Sequence, residues 1–340
     1  MNELVDWCLL QLGVNDHQAQ IQPVSGDASF RRYYRLSLEA GSFIAVNAPP
    51  ATERNESFIH ISALLAQVGV HVPTVLAADL ERGFLLLTDL GDQLLLPLLD
   101  ARTVDAYYRS ALDTLRMIQT CPLPVGEHAL PLYNEALLQQ EMSLMPEWFV
   151  VGLLERALAP SERALLERTF NQLCQSALEQ PAVFVHRDYH SRNLMVGPGE
   201  ALAVIDFQDA VKGPVTYDAV SLLRDCYVAW PEVRVRQWVG AFRANLKQDG
   251  QLSVPDPATF QRWFDWMGLQ RHIKVLGIFA RLWLRDGKPG YLGDLPLVMH
   301  YTLSVAKQYP QLALFVDWLE QEIWPLARAQ PWYREPEIRS

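Results

Sequence analysis

The segment from Val183 to Val196 reads Val-Phe-Val-His186-Arg187-Asp188-Tyr189-His190-Ser191-Arg192-Asn193-Leu-Met-Val, and Leu202-Ala-Val-Ile-Asp206-Phe207-Gln208-Asp209 follows it closely. The pattern is strand, polar loop, strand, and then an acid just past a strand end. That set suits phosphoryl transfer. One carboxylate must orient an acceptor hydroxyl and take its proton, while an amide oxygen and a second carboxylate hold magnesium against nucleotide phosphates. Asp188 fits the first role. Asn193 and Asp206 fit the second, because magnesium favours hard oxygen ligands that leave positions for water and phosphate. An ordinary carboxylate suffices as base, since general-base help is worth roughly 10²–10⁴-fold. His186, Asp188 and His190 could instead hold zinc, but that reading leaves Asn193 and Asp206 unexplained. The two histidines are expected to brace the loop by hydrogen bonds, and Asp218 to cap the next helix or steady the loop.

Elements on both sides must position this loop. Ile21–Val24, Phe30–Leu36 and Phe43–Val46 are short runs rich in aromatic and β-branched residues, separated by turn signals at Ser25-Gly26-Asp27 and Ala40-Gly41-Ser42. Glu53 to Val68 carries apolar residues at helical spacing, and Val75–Ala78 and Phe84–Leu87 supply two further strands around Glu81-Arg82-Gly83. After Asp92 the character changes. Val104–Thr120, Tyr133–Met142, Ser161–Glu179 and most of the chain beyond Val215 read as helices, and only Val183–Val185 and Ala203–Ile205 look β-like there. The 340 residues, half of them hydrophobic, allow two lobes with sizeable cores. The expected division is 1–90 and 91–340.

The charge balance of 29 basic against 39 acidic residues, net −10, argues against nucleic-acid or anionic-membrane partners, which need a basic footprint. The basic set is also lopsided: its five lysines are Lys212, Lys247, Lys274, Lys288 and Lys307, so the first half has none. Cys8, Cys121, Cys174 and Cys226 lie far apart and read as reduced, buried thiols. The N-terminus lacks the pattern of a signal peptide and no apolar run is long enough to span a bilayer, so a soluble cytoplasmic protein is expected.

His-Arg-Asp, four residues, then Asn matches the catalytic loop of protein kinases in register, and Asp206-Phe207-Gln208 stands where Asp-Phe-Gly would. With Gly213-Pro214-Val215-Thr216-Tyr217-Asp218, the chain resembles the aminoglycoside phosphotransferase and choline kinase branch of the kinase-like fold. Within it, the stretches 26–35, 47–50, 87–92 and 271–281 are most similar to bacterial anomeric sugar kinases, which phosphorylate N-acetylmuramate and N-acetylglucosamine at C1 in cell-wall recycling. The resemblance implies an α+β, bilobal kinase-like fold with a small strand-rich N-lobe and a large helical C-lobe. It implies ATP and Mg2+ as well, with a small amino sugar as substrate. A sugar's anomeric hydroxyl is more acidic than an ordinary alcohol, which eases the demand on Asp188.

Ile44-Ala45-Val46-Asn47 falls where kinases carry Val-Ala-Ile-Lys, so Asn47 stands in the lysine's place and cannot neutralise phosphate charge. Strand alternation puts Ala45 and Asn47 on one face. If Phe30 and Leu36 face the core, Arg31 and Arg35 approach the phosphates in the lysine's stead, with Glu56 on the following helix orienting one of them. Ser25, Asp27 and Ser29 would cover phosphates from the first turn, and Thr88, Asp89 and Leu90 would meet adenine at the joint between lobes. A muramic sugar carries a lactyl carboxylate, for which Arg224, Arg271, Lys274 and Arg281 are candidates, with Asp209 or Asp225 for hydroxyls. Two other functions fit the same residues: a kinase for a cationic alcohol, or a degenerate kinase-like binding protein. The missing lysine favours the latter; Asp188, Asn193 and Asp206 oppose it.

Overall fold

A computed structural model describes every residue except 1, 15–18, 25–29, 40, 127–128 and 340. The turn bearing Ser25, Asp27 and Ser29 lies outside the described residues. Helix α1 (Asn2–Leu12), which the sequence reading omitted, leads into β1 (Gln20–Pro23), β2 (Arg32–Leu38), β3 (Gly41–Asn47), α2 (Asn55–Gln67), β4 (Val75–Asp79) and β5 (Phe84–Thr88). The five strands form one antiparallel sheet in the order β1-β2-β3-β5-β4. Because side chains alternate across a strand, the sheet has two distinct faces. Leu36, Ala45, Phe84 and Leu86 pack under Leu4, Trp7 and Cys8 of α1. Val46, Leu85 and Leu87 belong to the opposite face, which joins α2 and the main core.

The register corrects two expectations about the sheet. Tyr33 pairs with Val46 and Arg35 with Ile44, so these four share the inner face, whereas Asn47 lies opposite Phe84 on the α1 side. The inner position two residues after Ile44 is therefore Val46, and Asn47 points away from where a nucleotide would lie. Phe30 precedes β2 and is 66% exposed, so Leu36, flanked by the half-buried Tyr34 and Leu38, anchors the outer face of that strand.

Beyond Asp92 come α3 (Val104–Gln119), α4 (Glu135–Leu144) with a π-helical continuation Met145–Leu153, and α5 (Pro160–Leu178). Four short strands follow: β6 (Ala182–Val185), β7 (Leu194–Val196), β8 (Leu202–Val204) and β9 (Val211–Pro214). They form two separate ribbons, β6 with β9 and β7 with β8. β7 and β9 were not anticipated, since three or four wholly or mostly buried residues carry no period-two signal. The chain continues through α6 (Tyr217–Leu223), α7 (Glu232–Asp249), α8 (Pro257–Leu284), α9 (Leu295–Ala306), α10 (Ala313–Trp318) and α11 (Trp324–Arg328). All four cysteines are free and buried. Among the described residues, no helix is long and apolar enough to cross a membrane.

Helix α8 is the beam on which the helical lobe is built. Asp256 caps it, its Oδ1 accepting from the backbone N–H groups of Ala258 (2.9 Å) and Thr259 (3.1 Å). Its 28 residues span about 42 Å, and nearly all between Trp263 and Ala280 are buried. Gly277 lets it lie against α4, because a β-carbon there would overlap the Leu144 backbone. Gly277→Ala should accordingly destabilise the protein by about 1–3 kcal/mol, read as a lower urea midpoint; an unchanged midpoint would show that the helices can separate freely.

Candidate active site

The loop between β6 and β7 is held from beneath by carboxylates. Asp218, at the start of α6, accepts the backbone N–H of His186 through Oδ2 (2.7 Å) and that of Arg187 through Oδ1 (3.0 Å). Burial pushes its carboxyl up to about 7 despite these two donors. Asp225 accepts the backbone N–H of Ser191 (3.0 Å) and also the Ser191 hydroxyl. Its other oxygen takes the N–H of Tyr227 at 3.2 Å. Asp225, expected to bind sugar hydroxyls, is thus committed to the loop.

His186 links the two acidic stretches. Its Nδ1 accepts the backbone N–H of Asp188 at 3.2 Å, which leaves Nε2 as the protonated nitrogen, donating to the Ile205 carbonyl at 3.1 Å. Burial lowers its pKa to about 4, so the ring is neutral at physiological pH. Both ring nitrogens are spent on backbone, which removes His186 as a zinc ligand. The Ile205 N–H returns a bond to the Asn193 carbonyl (3.1 Å), and Asn193 Nδ2 donates to the Asp188 carbonyl (3.0 Å) and to Asp206 Oδ2 (3.3 Å). Asp188, Asn193 and Asp206 are thereby brought together. Arg187 (φ 77°) and Asp206 (φ 65°) both hold left-handed backbone, a strain of about 1–3 kcal/mol each that surrounding bonds must sustain.

Cations behind the loop set the charge of Asp188. Burial alone would raise its pKa, but Lys274, Arg271 and Arg187 hold it below the usual carboxylate range. Arg187 Nη2 donates to Glu141 Oε1 at 2.6 Å, and Glu141 also receives the Tyr133 hydroxyl and lies 3.6 Å from Lys274. Lys274 donates to the Tyr217 hydroxyl at 2.8 Å. Glu141 was missed by sequence reasoning. The signal was present: an acid on the stripe Leu138, Glu141, Met142, Met145, whose other members are apolar and buried.

A cleft of about 590 Å³ opens between the inner sheet face and this loop. Tyr33, Arg35, Ile44 and Leu87 line it from the sheet, Thr88, Asp89 and Leu90 from the joint, and Asn193, Asp206 and Phe207 from the loop side. Arg35 reaches the cleft, but Asp89 clasps it (2.6 and 3.0 Å) and Asp92 adds a third contact (2.8 Å). It does not bring the uncompensated charge expected of it. Arg31 is buried, 3.3 Å from Glu53 and stacked over Phe58. Glu53 therefore takes the place proposed for Glu56, which is exposed and lines a separate cavity of about 540 Å³ together with Asp209. Thr88 Oγ1 accepts from the Thr74 N–H (2.9 Å), so its side chain serves the sheet.

The candidates for the acceptor divide. Arg224 is wholly buried, paired with Asp265 (2.7 Å) and Glu232 (2.9 Å) and stacked over Phe264, a brace between α6 and α8 rather than a binding group. Arg281, ten residues beyond Arg271, stands about 15 Å along α8, near Asp286. Arg271 and Lys274 do face the loop, but both are buried. Arg271 Nη1 donates to the Cys226 sulfur at 3.3 Å.

The oxygen set suits magnesium. Asn193 spends its amide nitrogen on protein acceptors, which leaves Oδ1 for a cation beside the Asp206 carboxylate. Two protein oxygens completed by phosphate and water are what that ion takes.

A lobed kinase-type fold with an amide and a carboxylate, Asn193 and Asp206, on its cleft and a further carboxylate, Asp188, tied to them through Asn193 defines a phosphotransferase. The profile of the phosphotransferase enzyme family matches residues 20–256, and the chain belongs to that family. It is 45% identical to an N-acetylmuramate/N-acetylglucosamine kinase of Pseudomonas putida over 85% of this chain and 84% of that one. It is 43% identical to the protein of the same name from Pseudomonas aeruginosa, over 92% and 93%. Among solved structures, a Plasmodium vivax ethanolamine kinase superposes with a TM-score of 0.60 at 11% identity, covering 87% of this chain and 83% of that one. A spectinomycin phosphotransferase in complex with ADP and spectinomycin gives 0.58 at 13%, covering 88% and 93%. At such identities the structures share the fold alone.

Asp218→Asn tests the loop support, since it turns an N–H2 group toward one of two backbone N–H donors. Turnover should fall about 100-fold with the nucleotide KM little changed; full turnover would mean that the loop holds its shape without this carboxylate.

Proposed function

We propose that the chain transfers the γ-phosphoryl group of ATP to the C1 hydroxyl of N-acetylmuramate or N-acetylglucosamine. The observation that carries this reading is the 45% identity, over 85% of the chain, to a kinase named for those two sugars. The geometry supplies a means. Asp188, held ionised by Lys274, Arg271 and Arg187, orients the anomeric hydroxyl and accepts its proton. The hydroxyl oxygen bonds to the γ-phosphorus as the bond to the β,γ-bridging oxygen breaks, and ADP departs with that oxygen. Asn193 Oδ1 and Asp206 would hold Mg2+, which when bound offsets charge on the β- and γ-phosphates. Tyr33, Ile44 and Leu87 provide an apolar wall for the base, and the joint at Thr88–Leu90 offers backbone groups to its edge. A donor of this kind places the reaction in the cytoplasm.

The purified chain should consume ATP with either amino sugar and form a sugar 1-phosphate, visible by phosphorus NMR, and should lose this activity when the divalent cation is chelated. Turnover with choline or kanamycin instead would overturn the assignment. Asp188→Asn should reduce turnover at least ~100-fold while nucleotide binding persists, and near-normal turnover would remove Asp188 from the chemistry.

A further inference from the structure

We propose that Arg192 binds the lactyl carboxylate of N-acetylmuramate and is the residue that distinguishes this sugar from N-acetylglucosamine, which lacks that group. The inference rests on the sugar-kinase reading above.

Available charge singles out Arg192. Two arginines line the cleft among the described residues, Arg35 and Arg192. Arg35 is saturated by Asp89 and Asp92. The other cations around the loop are engaged and sequestered: Arg187 on Glu141, Lys274 on Tyr217, Arg271 buried against Cys226. Arg192 differs. Its guanidinium carbon lies 3.5 Å from the centroid of the Tyr227 ring, and among the described residues it makes no hydrogen bond or ion pair. A stacked guanidinium keeps its N–H donors in the ring-parallel plane, free to grip a carboxylate with two bonds at once.

The position is built rather than loose. The Asp225 carboxylate fixes Ser191 on one side of Arg192 and the N–H of Tyr227 beneath it, while Asn193 on the other side is tied to Asp188 and Asp206. His190 packs edge-on against Tyr227 (5.4 Å) and Phe279 stacks behind it (6.4 Å). Tyr227 and Tyr291 line the same cleft from the helical lobe. Asp294 feels the charge of Arg192 but forms no ion pair with it.

The two sugars themselves provide the test, because they differ only in the lactyl ether. Arg192→Gln should lower kcat/KM for N-acetylmuramate about 10- to 100-fold, mainly through KM, with N-acetylglucosamine nearly unaffected. Arg192→Lys should recover part of the loss, since it keeps charge but not the two-pronged grip. Retained turnover of N-acetylglucosamine reports that each variant is folded. Equal losses on both sugars, or a raised KM for ATP, would place Arg192 on the phosphates and overturn the inference. Wild-type enzyme active on N-acetylglucosamine alone would overturn it too and leave the sugar-kinase reading standing. Wild-type enzyme inactive on both sugars would overturn that reading and this inference with it.

Discussion

The imidazole of His186 sits between two stretches of backbone that must keep a fixed relation: the N–H of Asp188 on one side and the carbonyl of Ile205 on the other. It does so as a neutral donor and acceptor, which only one tautomer of one charge state allows. Burial enforces that state. Around it, Asp218 and Asp225 satisfy the loop's backbone N–H groups, and Asn193 ties the Asp188 carbonyl to the Asp206 side chain. Removing the ring would leave an unpaired N–H and an unpaired carbonyl in the interior, each costing about 1–3 kcal/mol, and would free the two carboxylates from a common frame.

Charge in the cleft is arranged with equal economy. The sheet has no lysine, and its inner face presents Val46 where the kinase-like pattern would put one. Arg31 and Arg35 come near, yet each is answered by its own acid, Glu53 or Asp89. Positive charge is concentrated instead beneath the loop, in Lys274, Arg271 and Arg187, where it holds Asp188 ionised.

Much of this was legible beforehand. The loop from His186 to Asn193 stood out because phosphoryl transfer demands particular oxygen donors at fixed spacing, and the sheet because alternation and turn residues are local signals. What could not be read was which face of the sheet turns toward the cleft. Alternation put Ala45 and Asn47 on one face, as observed, but did not say which face fronts the cleft, and it is the face of Ile44 and Val46 that does. Arg224, paired with Asp265 and Glu232, and Arg281, near Asp286, illustrate a related limit of sequence: a helical sequence reveals which residues share a face, not which neighbour the face meets. Glu141 and Arg192 show the complementary loss. Each lies in a segment that was read correctly, but its importance depends on partners distant in sequence, Arg187 and Lys274 for one, Tyr227 for the other.

The site turns on the state of His186, and nitrogen NMR of the histidine side chains reads it directly. At neutral pH the ring should show a protonated Nε2 and an unprotonated Nδ1, and it should stay neutral on acidification to about pH 5, as a pKa near 4 requires. A ring that protonates near its ordinary value of about 6.5, or that carries its proton on Nδ1, would contradict the arrangement on which the site is built.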